Sequence, residues 1–313
     1  MVCKQHSYTR LGRNAIRTMA LFLCLLAGAC AYAQDTVPAK KKWLDDYPKH
    51  VGFTWDAQVK VVANYLWRGV YVGGLALQPS AQVGYGGLYL DMWWNIGSYD
   101  WTFKHNPANA RVKGFNPEVD LTIGFSRWGL TVYYMHMYYF DTYNNGDKTT
   151  YINGGNSRFF DFSNPAQGGI TQEWGLSYRV SDRLPLSILI ATRTWGRDGY
   201  TNDNGERKRA YSTYIELGYD FSLPWQLMLE ARLGMTPNKS IYTNYQTDFA
   251  VVNVSAKLSR TWQVSQHCDM NVFAQMMINP YDVSESLQKN TTYQSVNGGR
   301  QVLWNVGWIA KLK

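Results

Sequence analysis

Every second residue from Phe53 to Trp67 is apolar, and most of the residues between them, up to Arg68, are polar. Successive side chains of a β-strand point to opposite faces, so this segment has one apolar face and one polar face. Aromatic residues stand at both ends of the apolar face, which is typical of a membrane-crossing strand. The segment is also far longer than an average strand of roughly five or six residues. The apolar face comprises Phe53, Trp55, Ala57, Val59, Val61, Ala63, Tyr65 and Trp67, and the polar face comprises Thr54, Asp56, Gln58, Lys60, Asn64 and Arg68.

Eleven further segments have strand-like patterns, which gives twelve predicted strands. Two of them, 130–140 and 249–259, alternate less regularly, so the count leaves room for about two strands more or fewer. A soluble β-sandwich also alternates, but its strands are shorter and its connections are similar in length at both ends. The eleven segments are 75–85, 88–97, 115–125, 130–140, 170–180, 186–195, 211–221, 227–236, 249–259, 269–278 and 301–312.

Short and long connections alternate between the predicted strands. The short ones are Gly86-Gly87, 126–129, 181–185, 222–225 and 260–267, whereas the others are mostly long and polar, except for a short one around 69–74. Short turns on one rim and long loops on the other are typical of bacterial outer-membrane barrels. We therefore predict an all-β fold, a transmembrane up-and-down antiparallel β-barrel in the outer membrane. An even number of strands places both termini at the periplasmic rim.

Residues 1–33 have the features of an export signal. Arg10, Arg13 and Arg17 form a basic start, an apolar stretch follows, and Ala31-Tyr32-Ala33 fits an A-x-A cleavage site. The apolar stretch is shorter than the roughly 20 residues that a membrane-spanning helix needs. An alternative is lipoprotein processing at Cys30, because residues 26–30 partly resemble a lipobox. Both alternatives imply export.

Cleavage after residue 33 leaves a short periplasmic tail at 34–52 and a single barrel domain at 53–313. The leader holds four of the 31 Lys and Arg residues and none of the 23 Asp and Glu residues, so the net charge falls from +8 to +4. This small excess does not indicate a nucleic-acid partner. Of the four cysteines only Cys268 lies outside the leader, so the mature chain has no internal disulfide.

The same alternation assigns a set of charged and aromatic side chains to the barrel interior. They form either a paired network that fills the interior or the wall of a polar channel, since a twelve-stranded barrel lies between filled and water-conducting sizes. Arg68 is the first candidate for a constriction, and its structural alternative is a salt bridge to Glu118. The candidates for lining or constricting the lumen are Arg68, Asp91, Trp93, Glu118, Asp120, Arg179, Glu216, Glu230 and Arg232.

Three short segments near the start of the predicted barrel resemble a known family. Residues 64–69 read Asn-Tyr-Leu-Trp-Arg-Gly, residues 78–82 read Gln-Pro-Ser-Ala-Gln, and residues 87–93 read Gly-Leu-Tyr-Leu-Asp-Met-Trp. The Y-x-x-R-G pattern, the following strand with a proline and the G-x-Y opening of the next strand resemble the Gcw_chp family of bacterial outer-membrane proteins. The resemblance implies an outer-membrane barrel and no defined substrate.

The sequence offers little support for catalysis or metal binding. His136 has no Ser or Thr two residues away on its own face, and the Gly-x-Ser-x-Gly elbow of many hydrolases is absent. In Met135-His136-Met137 the histidine points away from both thioethers, so the three cannot bind one copper ion. We predict that His136 lies in an aromatic belt beside Tyr134 and Tyr138. We predict no enzyme activity, no metal and no cofactor.

These patterns favour a passive channel or solute-binding pore for small hydrophilic molecules. The alternative is a plugged barrel that acts in structure or surface interaction through its long extracellular loops, and a lipid-modifying outer-membrane enzyme is a third possibility. The expected partners are outer-membrane lipid, the barrel insertion machinery and a small hydrophilic solute, with no nucleic acid. The sequence does not identify the solute or the oligomeric state.

Overall fold

A computed structural model describes most of the predicted barrel. The predicted leader and all of the predicted tail except residue 52 lie outside the described residues. Those residues contain no helix that is long and apolar enough to cross a membrane. The described residues are 52–102, 111–140, 143–144, 147–151, 159–160, 162, 169–196, 198–202, 204–282, 296–297 and 302–312.

Strands account for nearly all the regular structure of the described chain. Two short 3₁₀ turns, Pro224–Gln226 and Ile241–Thr243, interrupt the connections. The strands are β1 (Phe53–Val62), β2 (Tyr65–Trp67), β3 (Val70–Gly73), β4 (Ala76–Tyr85), β5 (Leu88–Thr102), β6 (Arg111–Arg127), β7 (Leu130–Tyr139), β8 (Tyr143–Asn144), β9 (Asp147–Tyr151), β10 (Ile170–Arg179), β11 (Leu186–Gly196), β12 (Gly199–Thr201), β13 (Arg207–Arg209), β14 (Thr213–Leu223), β15 (Leu227–Thr236), β16 (Ala250–Ser265), β17 (Cys268–Ile278) and β18 (Leu303–Leu312).

Twelve of these strands form a closed antiparallel barrel, as predicted. Its order around the ring is β1-β18-β17-β16-β15-β14-β11-β10-β7-β6-β5-β4, and β1 pairs with β18 to close it. Three small two-stranded sheets, β2–β3, β8–β9 and β12–β13, lie in connections between barrel strands. Closure leaves no unpaired sheet edge in the wall, which a strand surrounded by lipid requires.

The two rims of the barrel differ, also as predicted. On the short-turn rim, β4 joins β5 through Gly86-Gly87 and β6 joins β7 through Trp128-Gly129. All four of these residues have positive φ angles, as the two central residues of a type I′ hairpin turn do. The start of β1 and the end of β18 lie at this same rim. The opposite rim, here called the long-connection rim, carries the segments between β7 and β10, β11 and β14, β15 and β16, and β17 and β18.

Side chains of the barrel strands separate into an apolar outer face and a polar inner face. On β1, Val59 is exposed on the outside while Lys60 points inward, and on β6 Ile123 is exposed while Thr122 is buried inside. An outer surface of this kind needs an apolar environment. Other exposed outward residues include Trp55, Val83, Leu90, Ile96, Val132, Leu176, Ile188, Ile190, Leu217, Leu233, Leu258, Val272 and Val306.

The structure corrects the predicted boundaries of β1, β5, β6 and β16. β16 continues to Ser265, so its turn to β17 is shorter than the predicted connection 260–267. β1 ends at Val62, not at Arg68, because residues 63–75 leave the wall, form the β2–β3 hairpin and return to begin β4. Tyr65 and Trp67, predicted to lie on the outer face, therefore lie inside the barrel. In addition, β5 and β6 extend to Thr102 and Arg111 and remain paired there, so their connection is shorter than the predicted 98–114.

Candidate functional site

The predicted lumen residues on the barrel strands all project inward, in rows set by strand pairing. Asp91 pairs with Thr122 across β5 and β6, and Trp93 pairs with Asp120 in the next row. Glu230 pairs with Asp220 and Lys257 on its two sides. These rows form two zones. A charged zone lies toward the short-turn rim, and a densely packed zone lies toward the long-connection rim.

Arg232 lies at the centre of the charged zone. Its Nη2 is 2.7 Å from Asp220 Oδ1 and 3.2 Å from Glu230 Oε2, while its Nε is 3.7 Å from Glu216 Oε1. All four side chains are partly exposed, with relative exposures of 15 to 24%. One guanidinium therefore offsets the repulsion between three carboxylates in a space that still meets solvent.

Neighbouring ion pairs extend the network around Arg232 along the barrel wall. Arg179 Nη1 lies 2.6 Å from Asp220 Oδ2, and Lys257 Nζ lies 2.7 Å from Glu230 Oε1. Across the barrel seam, Lys311 Nζ lies 3.0 Å from Asp56 Oδ2. On this side the structure agrees with the interpretation of the lumen charges as a paired network.

On the β5–β6 side of the charged zone, the charged side chains are not arranged in close ion pairs. Asp91 and Asp120 form no ion pair with any residue that the structure describes. Lys60 likewise forms no close ion pair with a described residue, although it lies within the electrostatic reach of Glu230, and its Nζ lies over the Phe273 ring at 5.6 Å from the centroid. Lys257 lies over the same ring at the same distance. Asp91 and Asp120 on β5 and β6 and Lys60 on β1 therefore lie outside the network of close ion pairs in the charged zone.

The packed zone is built around the β2–β3 hairpin. Trp67 pairs with Val70 across a two-residue turn, in which Arg68 and Gly69 have φ angles of 49° and 85°. A Cβ atom at Gly69 would lie 1.8 Å from the carbonyl oxygen of Val252 at the start of β16. The tip of the hairpin therefore presses its backbone directly against the barrel wall, and only glycine fits there.

Arg68 reaches from the tip of the hairpin to a buried carboxylate on β10. Its Nη1 donates to Glu173 Oε2 at 2.6 Å and its Nη2 donates to Glu173 Oε1 at 2.9 Å. The hydroxyls of Tyr242 and Tyr133 accept further bonds from the same guanidinium at 3.1 and 3.2 Å. This two-pronged geometry is the strongest form of an arginine–carboxylate pair.

The partner of Arg68 is thus Glu173, not Glu118. The prediction failed because the chain leaves the wall after Val62, and the hairpin carries Arg68 across the lumen to β10. Glu118 instead accepts a hydrogen bond from the hydroxyl of Tyr65, near the base of the hairpin, at 3.2 Å. The sequence placed Glu173 on the inward face of its strand, but no local pattern connected it with Arg68.

Aromatic rings enclose the ion pair. The Arg68 guanidinium lies 4.5 Å from the Trp67 ring and 5.0 Å from the Tyr214 ring, and Trp67 packs against Tyr242 at 5.7 Å. Glu173, Tyr214 and Tyr242 have no solvent exposure. Burial raises the pKa of Tyr242, so its phenol stays neutral beside the guanidinium. In this conformation solvent does not reach the side chains of Glu173, Tyr214 and Tyr242 in the packed zone.

A second attachment holds the backbone of the hairpin. The side-chain amide of Asn297 donates to the carbonyl of Gly69 at 3.1 Å and accepts from the backbone N–H of Tyr71 at 2.8 Å. Asp282 in turn accepts hydrogen bonds from the backbone N–H groups of Val296 and Asn297 at 2.8 and 3.2 Å. Sequence reasoning missed Asn297 and Asp282, since neither carries a signal beyond that of a polar loop residue.

His136 lies on the same face of β7 as Tyr134 and Tyr138, and it is buried against the rings of Phe159, Phe160 and Phe162. It points outward between Tyr134 and Tyr138 on β7, whereas Met135 and Met137 point inward. Its Nε2 lies 2.8 Å from the carbonyl oxygen of Phe159. Within the described part of the chain, no three His, Cys, Asp or Glu side chains converge on a possible metal position.

No family model matches the sequence, and no curated protein matches it. Among solved structures, the chain is similar to the NanC porin, with 11% identity and a TM-score of 0.38, over 83% of this chain and 98% of that one. It is similar to the toluene transporter TodX of P. putida, with 10% identity and a TM-score of 0.37, over 85 and 90% of the two chains. It is also similar to OmpF of Salmonella typhi, with 10% identity and a TM-score of 0.35, over 83 and 97%. Similarities this low carry no argument about function.

Proposed function

We propose that this protein is an outer-membrane channel for small hydrophilic solutes and that the described conformation is its closed state. The outer face would contact membrane lipid after insertion by the barrel assembly machinery, and the inner face would line the path. Export through the N-terminal signal and membership of the Gcw_chp family belong to the same proposal. No catalytic step is part of it.

The observation that carries the proposal is the partly exposed charged zone of the lumen. Arg232, Glu230 and Lys257 keep 22 to 28% of their side-chain surface accessible, and Arg179 keeps 42%. A barrel that serves only as a wall or an anchor could fill its interior with apolar or small side chains. Charged side chains that remain hydrated are what a path for polar solutes requires.

A second candidate function is a plugged barrel that acts through its extracellular connections. The packed zone favours it, because the partly buried Trp67 and Val70 of the hairpin pack in the lumen against the wholly buried Tyr214 and Tyr242. The two candidates differ in one property. A channel must conduct when the packed zone opens, whereas a plugged barrel stays sealed.

Planar-bilayer recording of the purified protein tests the proposal. We expect infrequent stepwise currents, because the path is closed in the described conformation. Asp91→Asn should shift the reversal potential in a salt gradient toward anion preference, since it removes a partly exposed lumen carboxylate that forms no ion pair with a described residue. Bilayers that stay silent with the wild type and also with the hairpin-free variant described below would overturn the channel and support the plugged barrel.

A further inference from the structure

We propose that the β2–β3 hairpin is the gate of this barrel and that the Arg68–Glu173 ion pair is its latch. The inference rests on the proposed channel function and adds how the lumen is closed and what opens it. It assigns a role to a segment that contributes nothing to the barrel wall.

The wall is complete without the hairpin. β1 and β4 remain paired up to Val62 and Ala76, so the chain leaves the barrel and returns to it at the same point. The base of the hairpin is fixed there, because Asn64 bonds to Trp304 and Asn305 on β18 and Gly74 bonds to Ser98 on β5. The hairpin can therefore move about its base without breaking a barrel strand.

The hairpin obstructs the lumen from its base to its tip. Tyr65 at the base contacts Glu118 and Trp93 on the β5–β6 wall, while Arg68 at the tip reaches Glu173 on β10. Gly69 lies against β16, on another side of the ring. These contacts with three separate parts of the ring place the hairpin across the lumen, in the path that a solute would take.

The ion pair, hydrogen bonds and apolar packing against the barrel hold the hairpin in place. An isolated two-stranded hairpin is marginally stable, so its position depends on side chains that reach it from the barrel. The bonds to its tip come from Glu173, Tyr133, Tyr242, Asn297 and the Met277 sulfur, which accepts from the Gly69 N–H at 3.3 Å. Removing any of these bonds should shift the equilibrium toward a hairpin displaced from the barrel wall, by the free energy that the bond contributes.

The backbone at Arg68 points to a role for its side chain. The first central position of a type I′ turn favours Asn, Asp or Gly, because a positive φ angle brings the Cβ atom close to the backbone. An arginine at a φ angle of 49° accepts this strain. The guanidinium offsets it by forming the latch, which asparagine or glycine could not form.

The hydrogen bonds between Asn297 and the hairpin backbone link the gate to the connection between β17 and β18. Asn297, which holds the Gly69 and Tyr71 backbone, belongs to the long connection between β17 and β18, and Asp282 fixes it from the start of that connection. A movement of this connection would therefore act on the hairpin directly. We infer that Asn297→Ala raises the open fraction without touching the ion pair.

Three variants in planar bilayers test the gate. The hairpin-free variant replaces residues 64–74 with Asn-Gly, so that Ala63 and Leu75 flank a two-residue turn that continues the β1–β4 pairing. The latch variant, Arg68→Gln with Glu173→Gln, removes both buried charges together and leaves neither unpaired. The control, Glu206→Gln with Lys208→Gln, removes an exposed ion pair of 2.9 Å between two loop residues. Heat-modifiable migration on gels confirms that each variant is folded.

We expect the hairpin-free variant to conduct continuously and the latch variant to be open about tenfold more often than the wild type, with the control unchanged. Conductance in the wild type that equals that of both variants would overturn the gate and leave the channel in place. Silence in all folded variants would overturn the channel itself. If the hairpin-free variant does not fold, the latch variant and Asn297→Ala decide the question.

Discussion

Three tyrosine rings inside the barrel lie flat against glycines of the neighbouring strand. A Cβ atom added at Gly124 would lie 2.5 Å from the Tyr89 ring, one at Gly175 would lie 2.0 Å from Tyr133, and one at Gly234 would lie 2.2 Å from the Tyr214 hydroxyl. Glycine is normally a poor strand residue, and a ring that covers it restores the lost packing. At these positions glycine provides the space that lets the rings reach Glu173 and Glu216.

Gly175→Ala should destabilise the barrel by about 1–3 kcal/mol, because the added methyl group forces the Tyr133 ring away from Glu173. The change is measured as the temperature at which the folded band disappears from semi-native gels. A double-mutant cycle with Tyr133→Ala supplies the control, since Gly175→Ala should cost little once the ring is gone. Equal losses with and without Tyr133 would show that the ring does not limit the space at Gly175.

Each barrel strand satisfies two environments with a single alternating pattern. β1 illustrates the rule, since Val59 faces outward and its neighbour Gln58 projects inward near the seam with β18. The same pattern also explains the error at the end of this strand. β2 alternates as β1 does, so the periodicity continues while the chain turns away from the wall. Alternation reports that a strand has two faces, but it does not report which sheet contains the strand.

Val59→Arg should reduce barrel stability by about 2–4 kcal/mol, because its side chain would meet hydrocarbon near the middle of the membrane. Gln58→Arg is the matched control on the adjacent residue, where the new charge would enter the hydrated lumen beside Asp56. The measurement is the amount of heat-modifiable protein in outer-membrane fractions. If both substitutions reduce it equally, the two faces of β1 are assigned incorrectly.

At the scale of the whole molecule, one closed sheet separates an apolar exterior from a polar interior. Its hydrogen bonds all lie within the wall, so stability depends on completing the ring between β1 and β18. The lumen divides along its length into a hydrated charged zone and a dry packed zone. The first zone keeps charged side chains partly exposed, and the second buries the ion pair of Arg68 and Glu173.

A closed barrel of this kind should migrate faster on a denaturing gel before boiling than after it, because the intact ring resists unfolding by detergent. We also expect the protein to fractionate with outer membranes and to require detergent for extraction. Recovery as a soluble monomer without detergent would contradict the membrane location, since the exposed apolar outer face could not remain in water.

The sequence by itself determined the architecture. Twelve strands, the difference between the two rims and the inward position of Asp91, Glu230 and Arg232 all follow from local rules. Alternation fixes the two faces of a strand, and turn chemistry such as Gly86-Gly87 fixes where the chain reverses. Both kinds of information lie within a few neighbouring residues, so reading the chain recovers them without knowledge of the ring.

Only the tertiary structure decided how the interior is used. The partner of Arg68 lies 105 residues away in sequence, and the amide that holds Gly69 lies 228 residues away. These contacts depend on which strands face each other across the lumen and on which connections fold inward. Both conditions arise only when the ring closes, because closure brings distant segments into one enclosed volume and forces their buried polar groups to satisfy one another.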